Sequence, residues 1–115
     1  MGVVMNANVK RGDVYWISLD PTIGSETKKT RPCVILSNDA QNKKSSRIII
    51  APITSNAQKI YPFEAHVEVL GKEGKVMLDQ LRSVDKARLG KYATSFDVMT
   101  MLEIETALKV ALALA

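Results

Sequence analysis

The chain has 115 residues, 46% of them hydrophobic and 24% charged, and 16 Lys/Arg against 12 Asp/Glu leave a formal net charge of +4. That balance belongs to one ordinary globular domain and excludes a disordered tail, a collagen-like chain, a coiled coil and a two-domain enzyme with its own cofactor domain. The mild excess of positive charge admits a polyanionic partner without requiring one.

Residues 1–8 carry no charge and no periodicity, and read as a loose N-terminal extension to a single domain over 9–115. The apolar run Val3-Val4-Met5 is too short for a signal-peptide core, and no stretch approaches the roughly 18 apolar residues of a membrane span. The single cysteine, Cys33, excludes an internal disulfide and fits a reducing compartment. These features predict a cytoplasmic protein without a membrane partner.

Residues 13–20 are rich in β-branched and aromatic side chains and stop at Asp20-Pro21, the pattern of a strand. Residues 21–30 hold Pro, Gly, Glu and two Lys with no apolar period, hence a loop. Residues 31–37 form a second strand, with Pro32 confined to its start or to an edge because it has no N–H for a ladder. The polar stretch 38–46 is a connection with room for one helical turn. Residues 47–53 read as a buried strand closed by Thr54-Ser55-Asn56, and 64–70 alternate as a half-buried strand. Residues 71–74 are expected to form a hairpin turn and 75–81 the next strand, followed by a polar break and a short last strand over 88–92. Thr94-Ser95-Phe96-Asp97 has the form of a capping box with Thr94 as the cap. Beyond it, Val98, Met101, Ile104, Leu108 and Leu112 recur at helical spacing. Five to seven short strands followed by one amphipathic helix predict a mainly β fold, a compact barrel or α+β unit rather than a βαβ unit.

The charge is uneven. Residues 1–92 carry a net +6 and residues 93–115 a net −2, so an anionic ligand is expected on the β-rich part. There is no P-loop, no G-x-G-x-x-G and no G-x-S-x-G. One His and one Cys make no ordinary zinc site. His66 lies in an alternating strand and Cys33 in a Val/Ile/Leu strand, where both read as structural.

A few polar residues resist a packing explanation. Arg31 precedes a proline, which restricts its backbone to extended conformations and fixes the aim of its guanidinium, as phosphate binding requires. A solubilising surface arginine is the plainer reading. Thr54, Ser55 and Asn56 cluster small hydrogen-bonding groups at a strand end, suited to phosphate or sugar oxygens or to a plain turn. Asp79-Gln80, after Val76-Met77-Leu78, either lines a site or pairs in a buried network. The polar loop with Glu26, Lys28 and Lys29 is where binding residues tend to sit. Tyr15 and Trp16 face opposite sides of one strand, one toward the core and the other free to stack on a base or pack at a dimer contact.

Taken in order, Arg11-Gly12-Asp13-Val14-Tyr15-Trp16, Leu19-Asp20-Pro21-Thr22, Gly24-Ser25-Glu26, Thr30-Arg31-Pro32 and Val34-Ile35-Leu36-Ser37-Asn38 resemble the MazF/PemK family of bacterial toxin endoribonucleases. Pro52-Ile53-Thr54-Ser55, Tyr61-Pro62-Phe63 and Asp79-Gln80-Leu81-Arg82-Ser83-Val84-Asp85 continue the resemblance from about residue 10 to the end. It implies a small SH3-like β-barrel with a C-terminal helix, working as a homodimer. It implies sequence-specific cleavage of single-stranded RNA, mainly mRNA, without metal or other cofactor, leaving 2′,3′-cyclic phosphate and 5′-hydroxyl ends. It also implies a cognate antitoxin that blocks the site, with operator DNA bound only through the toxin–antitoxin complex.

Carried over residue by residue, the resemblance makes Arg31, Thr54 and Glu26 catalytic. Arg31 would stabilise the pentacovalent phosphate, and proton donation suits it less because an arginine pKa lies above 12. Thr54 would hold a phosphate oxygen, and Glu26 would position or deprotonate the 2′-hydroxyl. RNA contacts are implied for Thr22, Ser25, Lys28 and Lys29 in the first loop. Ser55 and Asn56 after the third strand, and Asp79, Gln80 and Arg82 further on, complete the set. One branch of the family has an arginine where this chain has Met77 and a histidine where it has Ser25. That branch's acid–base set does not transfer, and the general base stays open. The competing expectations are a non-cleaving toxin of related fold that poisons DNA gyrase and an SH3-like module that binds nucleic acid or peptide without chemistry.

Overall fold

A computed structural model describes residues 8–19 and 29–115. The N-terminal extension up to residue 7 and the first-loop positions Thr22, Ser25, Glu26 and Lys28 lie outside the described residues.

Among the described residues, seven strands and two helices follow one another as β1 (Asp13–Ser18), β2 (Thr30–Ile35), α1 (Asp39–Lys44), β3 (Arg47–Thr54), β4 (Glu64–Val69), β5 (Lys72–Met77), β6 (Arg82–Asp85), β7 (Leu89–Ser95) and α2 (Val98–Leu112). Single 3-10 turns, Leu78–Gln80 and Lys86–Arg88, flank β6. The strands run antiparallel in the order β4-β5-β3-β2-β1-β7. The eight-residue β3 serves two partners along one edge, β6 through Arg47 to Ile50 and β5 through Ile53 and Thr54. The sheet curls into an open half-barrel, and among the described residues β4 and β7 do not pair.

Curling buries both faces of the central strands. Val14, Val34, Ala51, Ile53 and Val76 pack beneath α2 with Met101, Ile104 and Ala107. Ile17, Cys33, Ile35, Ile48, Ile50 and Val84 form a second cluster on the other face. Hence the continuous Val/Ile runs of β2 and β3 rather than a clean alternation, since a strand buried on both sides has no polar face. Pro32 pairs only with Trp16 of β1, just before Cys33 begins the ladder to β3, where its missing N–H costs nothing.

Several expected elements move. The hairpin turn is tighter than residues 71–74: Leu70 (φ 52°) and Gly71 (φ 83°) make it alone, and β5 starts at Lys72. The strand expected over 75–81 ends at Met77, because Leu78 turns into the core and draws Asp79 and Gln80 into a 3-10 turn. The polar break after it contains β6, held by backbone pairing with β3 and by one buried side chain, Val84. The last strand runs on to Ser95, so Thr94 and Ser95 are strand residues. The helix cap is Asp97, whose carboxylate accepts the Thr100 N–H at 2.8 Å. The buried stripe of α2 is Met101, Ile104 and Ala107, while Val98 and Leu112 face outward.

Candidate active site

β2 leaves the first loop through Thr30 and Arg31, and β3 ends at Thr54. The β2–β3 pairing Cys33 to Pro52 carries those two ends to the same side of the sheet. There a cleft of about 330 Å³ opens, lined by Arg31, Thr54 and Ser55, by Lys72, Glu73 and Gly74 from the β4–β5 hairpin, and by apolar Trp16, Pro32, Ile53, Val69 and Leu70. The predicted Arg31 and Thr54 are therefore brought together from different strands, with Ser55 beside them.

Arg31 is half-buried and pairs with Ile17 of β1. Its carbonyl accepts the Cys33 thiol at 3.5 Å. Burial pushes that thiol up to about 12, with Arg82 first and Arg31 second pulling the other way. Thr54 Oγ1 accepts the Asn56 N–H at 3.3 Å, which leaves its own hydrogen available to an oxygen in the cleft. Trp16 is partly exposed at the cleft, whereas Tyr15 packs on the second core cluster and meets Tyr92 edge-on.

Other predicted contacts stand apart from the cleft lining. Asn56 and Asp79 are exposed, and the Gln80 amide reaches Met77 Sδ at 3.5 Å. Arg82 donates to the Leu19 carbonyl at 3.1 Å, tying β6 to the end of β1. Lys29 is exposed in a left-handed conformation (φ 69°), and its carbonyl accepts the Leu19 N–H. The hairpin residues Lys72, Glu73 and Gly74 were not among the sequence candidates. Glu73 supplies a carboxylate to the cleft and bonds His66 Nε2 at 2.9 Å, the exposed side-chain contact of that histidine. Only the pairing of β5 with β3 makes these residues neighbours of Thr54.

The cleft thus joins a fixed cation, a hydroxyl donor, a second cation on a hairpin and an aromatic wall. That set can grip a phosphate and a flanking base. The chain is 38% identical over 112 residues to the endoribonuclease MazF of Staphylococcus epidermidis, covering 92% of each chain. It is 38% identical to endoribonuclease EndoA of Bacillus subtilis, covering 92% of this chain and 96% of that one. Its fold matches MazF from Deinococcus radiodurans with a TM-score of 0.81 at 29% identity, over 92% of this chain and 97% of the other. A mycobacterial endoribonuclease solved in complex with its cognate antitoxin matches with a TM-score of 0.76 at 29% identity, over 96% and 98% of the two chains. The family model for the PemK-like, MazF-like toxin of type II toxin–antitoxin systems spans residues 10–112, and the chain belongs to that family.

Proposed function

We propose that this MazF-family endoribonuclease toxin cleaves single-stranded RNA, mainly mRNA, by internal transesterification. The observation that carries the reading is the shared cleft of Arg31 and Thr54. RNA brings its own nucleophile. The 2′-oxygen attacks the adjacent phosphorus, its proton passes to a base, the bond to the 5′-oxygen breaks, and that oxygen takes up a proton. The products are a 2′,3′-cyclic phosphate and a 5′-hydroxyl, and the step needs no metal or other cofactor.

What the protein must supply is charge stabilisation and orientation. In our reading Arg31 neutralises the charge that gathers on the non-bridging oxygens of the phosphorane, where a preorganised cation is worth most. Thr54 donates its hydroxyl to one of those oxygens. Ser55 and Lys72 hold the neighbouring sugar-phosphate, and Trp16 offers a stacking face. Glu26 stays a proposed aid to the 2′-hydroxyl, with Thr22, Ser25, Lys28 and Lys29 as proposed RNA contacts of the first loop. Asn56, Asp79, Gln80 and Arg82 are proposed contacts farther along the strand.

The partner of a toxin of this class is an antitoxin. We further propose a homodimer, supported by apolar side chains that α2 and β7 leave in solvent: Val98 at 74% exposure, Met99 at 70%, and Leu102 and Tyr92 at 51% each. Operator DNA is proposed to be reached only through the antitoxin complex. Among the described residues no helix is long and apolar enough to cross a membrane; we propose a cytoplasmic site of action, where mRNA is available. Labelled RNA incubated with the protein in EDTA tests the reading. Cleavage that Arg31→Ala abolishes supports it, and RNA left intact by the wild-type protein rejects it.

A further inference from the structure

We propose that Lys75, through its ion pair with Glu64, is a positioning residue that fixes the segment 55–63 beside Thr54 and thereby sets which bases the enzyme accepts at the cut; this rests on the endoribonuclease reading above. Thr54 and Lys75 are direct partners across the β3–β5 ladder, so their side chains share one face of the sheet. On its other side Lys75 faces His66 of β4.

The Lys75 ammonium donates to the Lys59 carbonyl at 2.7 Å and to Glu64 Oε1 at 2.8 Å. The same carboxylate oxygen accepts the Tyr61 N–H at 2.9 Å, and the Glu64 N–H donates to the Tyr61 carbonyl at 2.8 Å. The turn Tyr61-Pro62-Phe63-Glu64 is thus closed by both bonds, with Pro62 suited to its second position. Tyr61 stacks on Phe63 with centroids 5.4 Å apart, and the Lys75 ammonium lies 5.6 Å from the Tyr61 ring.

The pair is largely withdrawn from water, with side-chain exposures of 12% for Lys75 and 7% for Glu64. A desolvated ion pair gives little net stability over an apolar pair of the same volume, and the best-attested use of such buried polar groups is to select one register or conformation. Here the conformation selected is that of the chain returning from β3 to β4. Its near end carries the reacting face: Ser55 lines the cleft, and the Asn56 N–H holds Thr54 Oγ1. Its far end is pinned at Lys59 and Glu64. Release of the far end leaves Ser55 and Asn56, and with them the bond that orients the Thr54 hydroxyl, aimed by chain continuity alone, while the ladder still holds the Thr54 backbone. A loss of aim of this kind degrades reactivity and base discrimination together.

The experiment compares wild type with Lys75→Met, Glu64→Gln and the double variant Glu64→Met/Lys75→Met. The measurements are melting temperature, kcat and KM on an RNA oligonucleotide, and sequencing of cleaved transcript ends. The double variant is expected to keep the wild-type melting temperature within a few degrees, because two methionines refill the volume without stranding a charge. Its kcat/KM is expected to fall about tenfold to a hundredfold, with relaxed base preference beside the scissile bond. A merely structural pair leaves base preference untouched. If Lys75→Met unfolds because it strands Glu64, the double variant and Glu64→Gln still decide. A double variant that cuts the wild-type sequence with wild-type kcat/KM overturns the proposal and leaves the endoribonuclease reading standing. A wild-type protein that leaves RNA intact defeats that reading and this inference with it.

Discussion

Gly74 of β5 lies against the main chain of Thr54: a Cβ on Gly74 would stand 2.7 Å from the Thr54 carbonyl oxygen and 3.3 Å from Ile53 Cγ2. The first distance is below any normal contact, and the obstacle is backbone. The end of β3, not a flexible side chain, must therefore move. Gly74→Ala is expected to cost about 1–3 kcal/mol of stability through overpacking. Because the displaced residue is Thr54, kcat/KM is expected to drop further than the fraction unfolded accounts for. Denaturant melts and RNA cleavage at matched folded fractions check this. An alanine variant with wild-type activity would mean that the cleft tolerates a shift of β3.

Arg31→Ala is expected to separate activity from folding. Arg31 is half-buried, outside both core clusters, and the β2 ladder holds its backbone whatever the side chain. Stability should change by about 1 kcal/mol or less, while cleavage should fall about 100- to 1,000-fold, the loss typical of removing one preorganised donor from a developing anion. Thermal melts and single-turnover cleavage decide. A large fall in melting temperature with proportionate loss of activity would assign Arg31 to the fold.

Salt distinguishes the cations. Lys72 lines the cleft, whereas Arg82 is engaged by the Leu19 carbonyl at 3.1 Å. For single strands each neutralised phosphate adds about −0.7 to the slope of log affinity against log salt. Lys72→Ala should flatten the slope by about that amount. Arg82→Ala should lower the melting temperature and flatten the slope by less, because that guanidinium is shared with the Leu19 carbonyl. Fluorescence titrations of an RNA with a 2′-deoxy substitution at the cut, which cannot be cleaved, measure both slopes across a salt series. Equal flattening by the two variants would make Arg82 as full a phosphate contact as Lys72, and no flattening at all would remove Arg82 from the RNA.

The sequence made β1, β3 and β4 legible to within two residues because their apolar patterns are strong and turn residues bound them. The Leu70-Gly71 turn escaped because leucine is an uncommon occupant of positive φ, so Gly71 and Gly74 looked like the turn's two ends. β6 escaped because a strand paired through its backbone and anchored by Val84 alone has almost no pattern to read. Thr94 and Asp97 are both good caps, and only the pairing of β7 with β1, Asp13 to Ser95, decides between them. At the site, Arg31 and Thr54 were picked out by the family resemblance, since their local contexts alone fit a surface arginine and a plain turn. Lys72, Glu73, Gly74 and Lys75 did not, since their meaning depends on which strand β5 chooses as neighbour. That choice is a long-range event no local spacing records.

Acid should weaken the fold through the two helix ends. The Thr100 backbone N–H holds the Asp97 carboxyl below its usual range, and the Arg11 backbone N–H does the same for Asp39 with help from the Asn42 amide. A depressed folded pKa contributes stability that is complete above the unfolded value, about 3.9, and is lost as pH falls through the folded one. The melting temperature should be insensitive to these groups at pH 5 and above and should decline below about pH 4. Asp97→Asn keeps a capping acceptor but has nothing to titrate, so it should soften that decline. Asp97→Ala should lower the melting temperature at pH 7 as well. An acid limb identical in wild type and Asp97→Asn would remove the cap from the account.

Cys33 tests whether the sheet beneath the cleft is closed. Burial raises its thiol from 9.0 to about 12, more than the nearby Arg82 and Arg31 can offset. The thiolate is the reactive form, so at pH 8 the native protein should resist iodoacetamide for hours and become labelled once guanidinium unfolds it. Cys33 pairs with Pro52 of β3 and adjoins Arg31 and Pro32 in β2. Opening that exposes it must therefore break the strand pair that unites Arg31 with Thr54. Labelling rates in increasing denaturant consequently report the stability of the strand pair that brings Arg31 and Thr54 together. If alkylation follows the global unfolding free energy, Arg31 and Thr54 sit on a scaffold that opens only as a whole. Rapid labelling without denaturant would mean that β2 and β3 part locally, and the cleft would then have to be assembled by the RNA.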